Sequence, residues 1–267
     1  MIAIGARDLD EDSSNRLKGI QNVVDQLPDY AAKVEYAKTS WKNKPSNLFD
    51  GVKTLLAAMC NGNRRCVYCE DSLADEIEHM RPKDLFPEQA YAWNNYVLAC
   101  GPCNGPKNNQ FAILSGQLDL IDITRKRGAP VVEPPAGAYA LVDPRIEDPV
   151  DFLWLDFRTW RYVPNTDDAN SDIGVRAEYT IDVLRLNKRD DLVRGRKSAF
   201  SGYESRLRTW LEQREQWNDQ QKASFIEDFR AERFRGVWER MKRYRHDVEF
   251  LAGVAQLIGT APEVMDW

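Results

Sequence analysis

Two pairs of cysteines constrain this chain more than any other feature of its sequence. Cys66 and Cys69 form one CxxC pair, and Cys100 and Cys103 form a second pair about thirty residues later. Each pair places two sulfurs on one tight turn, and four thiolates are the complete ligand set of a closed tetrahedral zinc site. The sequence therefore predicts a structural Zn²⁺ bound by all four. Cys60 lies outside this pattern after an apolar run, and we expect it to be a buried, inert thiol.

The rest of the sequence gives no signal for export or membrane insertion. Acidic residues stand near the N-terminus, where a signal peptide has an apolar stretch, and no segment has the apolar run of a membrane span. Paired thiols in such a chain are typical of metal binding rather than of disulfides, because the cytosol keeps thiols reduced. We therefore expect a cytoplasmic protein that does not bind a membrane.

The chain divides into three predicted segments. Residues 1–60 are helical, residues 61–127 hold the paired cysteines, and residues 128–267 pass from a Pro/Gly-rich loop and short extended stretches into helices that pack on the core. The predicted helices are Arg16–Leu27, Tyr30–Ala37, Leu48–Met59, Lys188–Trp217 and Lys222–Ile258, the last with breaks near Gly236 and Gly253. The predicted extended stretches are Ala138–Val142 and Phe152–Val163.

A small ββα unit is predicted between and around the cysteine pairs. Apolar and polar residues alternate over Ile77–Met80, and Tyr96–Ala99 is a second short apolar strand. A helix is expected to open after Cys103, with a proline early, where it is tolerated. The predicted fold is α+β and predominantly helical: a zinc-stabilised ββα core with flanking helices and a C-terminal helical region. Seven C-terminal aromatic residues are expected to pack within that region: Trp210, Trp217, Phe225, Phe229, Phe234, Trp238 and Tyr244.

The residues inside the ββα unit suit phosphodiester hydrolysis. That reaction needs a base to deprotonate water and a hard cation, held by oxygen ligands, to take up charge on the phosphate. His79 is the only histidine between the cysteine pairs and has an ordinary pKa near neutrality. Glu78 and Asn104 can supply oxygen ligands to Mg²⁺ or Mn²⁺. We expect an alanine at position 79 to leave stability unchanged. Asp75 and Glu76 are either an alternative cation site with Glu78 or solvated turn residues.

The run CVYCE…EIEHMRPK…YAWNNYVLACGPCNGPKNN resembles the signature of the HNH (ββα-metal) nucleases. The resemblance implies that His79 is the general base and that Glu78 and Asn104 bind the catalytic cation. It also implies that Asn95 orients the loop between the strands. The sequence departs from the family at Glu78, where aspartate is commoner, and the added methylene moves the carboxylate by about 1.5 Å.

A narrower resemblance extends over roughly Leu48–Lys197. The phrases CVYCE, IEHMRPK, LVDPRIEDP and TIDVLRLN are similar to those of the PtuB-type HNH proteins of Septu and retron anti-phage systems. This resemblance implies an ABC or SMC-like ATPase as a partner, and a retron RNA/DNA complex as a further one.

The charge distribution leaves the route of the substrate open. The net charge is −5, and residues 61–110 carry five basic and seven acidic residues. Residues 185–245 carry 17 basic and ten acidic residues, and they bind nucleic acid, dock on a protein partner or form a solvated surface. Arg81 and Lys107 either contact phosphate or are ordinary surface charges.

The leading hypothesis is a metal-dependent endonuclease, with DNA as the favoured substrate, that acts in defence against phage. One alternative is a non-catalytic zinc-knuckle module that binds nucleic acid or protein. Another is a ribonuclease toxin, which shares the chemistry and differs in substrate. The combination of His79, Glu78, Asn95 and Asn104 favours an enzyme, because a binding module does not need all four residues.

Overall fold

Three helices precede the cysteine-rich segment in the computed structural model, which describes residues 1–60 and 64–267. They are α1 (Glu11–Asp25), α2 (Tyr30–Lys42) and α3 (Ser46–Met59). Asp10 and Asp29 cap α1 and α2, because each carboxylate accepts a hydrogen bond from a backbone N–H three residues later. The three predicted N-terminal helices are therefore confirmed, with ends shifted by a few residues.

The cysteine-rich segment forms the predicted ββα unit. Strands β1 (Glu76–His79) and β2 (Tyr96–Ala99) pair antiparallel, with Glu78 opposite Val97 and His79 opposite Tyr96. Helix α4 (Gly101–Lys107) follows directly, and Pro102 lies in its first turn, where the missing N–H costs nothing. Helix α4 begins three residues earlier than Asn104, so the second cysteine pair lies at and inside its start.

Short strands follow α4. Strands β3 (Ala112–Leu114), β4 (Leu120–Asp122) and β5 (Ala138–Tyr139) form one sheet in the order β4-β3-β5. A single helical turn, α5 (Pro149–Phe152), leads into a hairpin of β6 (Leu153–Asp156) and β7 (Arg161–Pro164). The expected extended stretches are thus present but shorter, and the turn at Trp160, with φ of 61°, divides the second one.

Five helices complete the chain: α6 (Asp172–Val183), α7 (Asp190–Gln213), α8 (Asp219–Arg230), α9 (Arg235–Tyr244) and α10 (Ala252–Thr260). The predicted helix Lys222–Ile258 is therefore three helices. Its first break follows Arg230, where α8 ends, and Phe234, with a left-handed backbone (φ 55°), directly precedes the start of α9, two residues before Gly236. A Cβ at Gly236 would lie 2.5 Å from the Glu70 carboxylate, so the glycine permits α9 to approach the first cysteine turn.

One buried cluster draws residues from all three predicted segments. The C-terminal aromatic residues pack as expected: Trp210, Phe229, Phe234 and Trp238 are buried, and Trp217, Phe225 and Tyr244 lie partly buried against them. The segment boundaries near residues 60 and 127 stay predictions. Within the described ranges, no helix is long and apolar enough to cross a membrane.

At least ten of the 17 cations in the basic stretch 185–245 bind carbonyls or carboxylates of the same chain. Arg196 and Arg240 are fully buried and donate to backbone carbonyls. Eight further cations of the stretch form ion pairs with carboxylates: Lys188, Arg206, Arg208, Arg214, Arg233, Arg235, Lys242 and Arg243. More than half of the cations in this stretch are thus bound within the chain, although several of the pairs, such as those of Lys188, Arg208 and Arg233, are exposed to solvent.

Arg240 and Arg243 provide a matched pair that tests this packing. Arg240→Ala should lower the free energy of unfolding by about 3 kcal/mol or more, because it removes charged hydrogen bonds to the Leu153 and Gly236 carbonyls and leaves a cavity. Arg243→Ala removes exposed pairs with Asp148 and Asp151 and should cost about 1 kcal/mol or less. Urea unfolding measures both, and equal effects would contradict this assignment.

Candidate functional site

Four sulfur atoms converge where the two cysteine turns meet. The Sγ atoms of Cys66, Cys69, Cys100 and Cys103 all lie within 4.8 Å of one another, and all four side chains are buried. The Cys69 and Cys100 sulfurs are 3.8 Å apart. Ligands of a tetrahedral zinc ion with Zn–S bonds of about 2.3 Å lie about 3.8 Å apart. The cluster therefore fits the predicted zinc site, whereas Cys60 is only partly buried and lies outside it.

Glu70 stabilises the first cysteine turn and has an unusual backbone conformation. Glu70 donates its N–H to the Cys66 carbonyl at 2.9 Å and adopts a left-handed backbone (φ 61°), a conformation that favours glycine. Its buried carboxylate accepts the Gly236 N–H at 2.8 Å. The side chain therefore offsets the backbone strain by joining the cysteine turn to α9.

Arg189 is a neighbour of the cluster that sequence reasoning missed. Its guanidinium donates to the Cys103 sulfur at 3.2 Å. Burial lowers the pKa of Arg189, but the nearby Cys103 and Cys69 sulfurs raise it by more, so the net shift is upward. A cation beside the cluster offsets the negative charge of four thiolates. Spacing along the chain gives no signal for this contact, because Arg189 is 86 residues from Cys103.

His79 lies at the end of β1 with one ring nitrogen fixed. Its Nε2 is 2.9 Å from the Ala90 carbonyl oxygen, which also accepts the Tyr96 hydroxyl at 2.7 Å. Because a carbonyl only accepts, Nε2 carries the proton and Nδ1 keeps its lone pair. Burial and the positive charges of Lys83, Lys107 and Lys44 hold the pKa of His79 well below its usual value. The imidazole is therefore neutral and able to accept a proton.

The surroundings of His79 correct one expectation. The side chain is only 5% exposed, and its ring lies 4.2 Å from the Trp41 ring and 5.2 Å from the Tyr96 ring, centroid to centroid. It therefore contributes packing, and an alanine at this position leaves a cavity. A stability unchanged by His79→Ala is no longer expected.

Glu78 and Lys107 form a buried ion pair. The Lys107 ammonium donates to Oε1 of Glu78 and, at 2.8 Å, to the His79 carbonyl. Burial raises the pKa of Glu78, and the charge of Lys107 opposes this shift. Lys107 is fully buried. Its charge is therefore committed to Glu78, and its position gives no support to the expected contact with phosphate.

Asn104 stands on α4 opposite the acidic face of β1. Its Nδ2 donates to the Glu76 carboxylate at 2.6 Å, which leaves Oδ1 as an acceptor. Glu76 lies within β1, not in a turn, on the same face as Glu78. The carboxylate of Glu78 and the amide oxygen of Asn104 are hard donors of the kind that Mg²⁺ and Mn²⁺ bind, so these residues fit a divalent cation.

The Asn95 side chain forms its hydrogen bonds with the backbone of Arg81 and Gln89, and not with Glu78 or Asn104. The buried Asn95 amide accepts the Arg81 N–H at 2.7 Å and donates to the Arg81 and Gln89 carbonyls, both at 2.9 Å. It thereby closes the loop between β1 and β2. The Arg81 guanidinium pairs with Asp143 at 3.2 Å and lies over the Tyr139 ring. The guanidinium that was expected to bind substrate phosphate is therefore paired with Asp143.

A cleft of about 360 Å³ brings the remaining candidates together. Glu78, His79 and Asn104 all line it, and its other walls include Trp41 and Lys42 from α2 and the segment Pro82–Asp84. The sequence thus identified the residues on the ββα side of the cleft. It gave no indication that α2 forms the opposite side.

The cysteine cluster leads to a direct test. Cys66→Ser should release the metal and lower the melting temperature, because in a unit this small the binding energy of the ion is folding energy. Cys60→Ser is the matched control, and it should keep both metal content and stability close to wild type. Elemental analysis and thermal unfolding of the purified proteins measure the difference. A Cys66→Ser protein that retains one zinc per chain would contradict the four-sulfur site.

Comparisons with known proteins agree with this geometry. Residues 66–110 match the HNH endonuclease family model. The Septu protein PtuB of Bacillus thuringiensis is 27% identical to this chain over 143 residues, which cover 52% of the chain and 42% of that protein. The match thus spans less than half of the length of that relative. Residues 66–110 are therefore an HNH endonuclease domain, in a chain that resembles PtuB, as the sequence motifs predicted.

Proposed function

We propose that this chain is a metal-dependent nuclease that hydrolyses phosphodiester bonds of nucleic acid, with DNA as the favoured substrate. The observation that carries the proposal is the fixed tautomer of His79. Its Nε2 proton is held by Ala90 inside a cleft that Glu78 and Asn104 also line. A neutral imidazole whose Nδ1 lone pair is free is the form that a general base requires.

In the proposed reaction, Nδ1 of His79 takes a proton from a water molecule. The resulting hydroxide oxygen bonds to phosphorus, one ester P–O bond breaks, and the leaving oxygen takes a proton from solvent. The Ala90 carbonyl and the Trp41 and Tyr96 rings keep the imidazole in one orientation through this transfer. Asn95 keeps the loop carrying Ala90 against the end of β1.

Glu78 and Asn104 are the proposed ligands of the catalytic cation, Mg²⁺ or Mn²⁺. When bound, such an ion stabilises the negative charge that develops on the phosphate and on the leaving oxygen. The Lys107 ammonium holds Oε1 of Glu78, so we assign Oε2 to the cation. Asn104 contributes Oδ1 because Glu76 holds its Nδ2.

The cellular role follows from resemblance. We propose that the chain is the nuclease of an anti-phage defence system, because the matched relative is a Septu protein. The motifs shared with Septu and retron proteins further suggest that it acts in the cytoplasm with an ABC or SMC-like ATPase, or with a retron RNA/DNA complex. Reduced zinc-binding thiols are consistent with that compartment.

Replacement of His79 tests the chemistry directly. His79→Gln should reduce cleavage at least about 100-fold, because a glutamine cannot accept the proton, while its amide can still donate to the Ala90 carbonyl. Cleavage of plasmid, phage DNA and total RNA with Mg²⁺ measures the loss. Cleavage of RNA alone would favour a ribonuclease toxin. Wild-type cleavage rates in a folded His79→Gln protein would reject His79 as the base, and no cleavage of any of the three substrates by wild type would favour a zinc-binding module.

Replacement of Asn104 tests the cation assignment. Asn104→Ala removes one proposed ligand, so the concentration of Mg²⁺ needed for half-maximal cleavage should rise, and high Mg²⁺ or Mn²⁺ should partly restore the rate. Asn108→Ala is the matched control, because Asn108 lines the same cleft at the end of α4. An unchanged metal requirement for Asn104→Ala would remove Asn104 from the ligand set.

A further inference from the structure

A second cleft of about 460 Å³ adjoins the one that contains His79. The two clefts share Trp41, Lys42, Ile77 and Asn104 as lining residues. Together they form a continuous groove between β1 and the two helices α2 and α3. His79 lines the first of these clefts and is 5% exposed, so a phosphate that approaches it through this groove meets the residues that line both clefts.

Most cations of the groove come from α2, α3 and the turn between them. Residues 30–59 contain five lysines and two acidic residues. Four of those lysines line the groove, and a fifth groove lysine comes from the loop after β1: Lys38, Lys42, Lys44, Lys53 and Lys83. The predicted substrate contacts, Arg81 and Lys107, are instead bound to Asp143 and Glu78.

Most of these lysines are free of carboxylate partners. Over residues 1–60 and 64–267, Lys42, Lys44, Lys53 and Lys83 form no ion pair, whereas Lys38 pairs with Asp84 at 3.3 Å. Lys38 is 45% exposed, so this pair is weak and a phosphate can displace it. Lys44 and Lys83 lie 4.9 Å and 5.6 Å from the Trp41 ring centroid, beside His79.

Carboxylates also line the groove: Asp50 and Asp84 lie among the lysines, and three others lie at β1. Glu76 and Glu78 belong to β1 and Asp75 immediately precedes it, next to the proposed cation ligand Asn104. A bound divalent cation offsets their charge and leaves the lysine side to attract the polyanion. Asp50 on α3 is the one carboxylate that the groove receives from residues 30–59.

We infer that Lys42, Lys44, Lys53 and Lys83 bind successive phosphates of the nucleic acid strand that passes His79. This inference rests on the proposed nuclease function and names its substrate-binding surface. Lys42, Lys44 and Lys53 belong to α2, α3 and the turn between them, outside the HNH match at residues 66–110, whereas Lys83 lies within it. Lysine contacts of this kind bind the backbone without reading base sequence, and each contact releases counterions.

Binding measured without cleavage tests the inference. In a His79→Gln background, the double variant Lys42→Gln, Lys53→Gln should bind a labelled DNA duplex about tenfold more weakly. The slope of log affinity against log salt should become shallower by about 0.9 per lost contact. The control variant Lys18→Gln, Lys33→Gln makes the same charge change on α1 and α2 away from both clefts, and it should retain affinity and slope.

Three outcomes would overturn the inference: equal losses in the two double variants, unchanged binding in the groove variant, or no measurable binding of duplex or single strand by the parent protein in 50 mM salt. The double variant Lys42→Arg, Lys53→Arg keeps both charges and should bind DNA as the parent protein does. A melting temperature well below that of the parent protein identifies a variant whose loss of affinity comes from misfolding. Cleavage by wild type together with unaltered binding by the groove variant would reject this surface and leave the proposed nuclease intact.

Discussion

The four-sulfur cluster is the constraint on which the rest of this site depends. Strands of four residues and a helix of seven are too short to be stable alone, since isolated helices below about 12 residues are marginal in water. A structural zinc ion contributes roughly 10–16 kcal/mol of binding energy in peptides of comparable size. Because Cys69 lies before β1 and Cys100 directly follows β2, the cluster joins the cysteine turn to the end of the hairpin and the start of α4. In the hairpin between these attachments, His79 lies opposite Tyr96.

The cations of this chain fall into two groups, those buried inside the protein and those that face solvent. Arg196, Arg240 and Lys107 lie inside the protein, where each donates to carbonyls or to a carboxylate and stabilises the fold. Lys38, Lys42 and Lys53 of α2 and α3 line a groove open to solvent. Net charge therefore says little about where a polyanion binds, because buried cations count in the total but exert little field outside. An acidic chain can in this way present a local surface for phosphate.

Local patterns were sufficient to predict the ββα unit and three residues that line its cleft, and tertiary contacts explain the errors. The cysteine spacing, the alternation ending at His79 and the helix carrying Asn104 are all encoded within about forty residues. The partner of a charged side chain is not encoded locally. Arg81 pairs with Asp143, 62 residues away, and Arg189 contacts Cys103, 86 residues away. The packing of Trp41 against His79 was not predicted for the same reason, because the two residues are far apart in the sequence. A count of charge over residues 30–59 was the one available signal for the groove lysines.

Helix α4 explains why glutamate is acceptable at position 78, where aspartate is commoner in the family. Cys103, near the start of α4, belongs to the sulfur cluster, and Lys107, at its end, is bound to the Glu78 carboxylate and the His79 carbonyl. Asn104 lies between these two attachments, so its amide is held relative to β1 from both ends of the helix. The additional methylene of Glu78 lets one carboxylate reach the buried ammonium with Oε1 and still face the cleft that Asn104 lines. The change of residue thus leaves Glu78 at the cleft as a proposed cation ligand while adding the second attachment of α4.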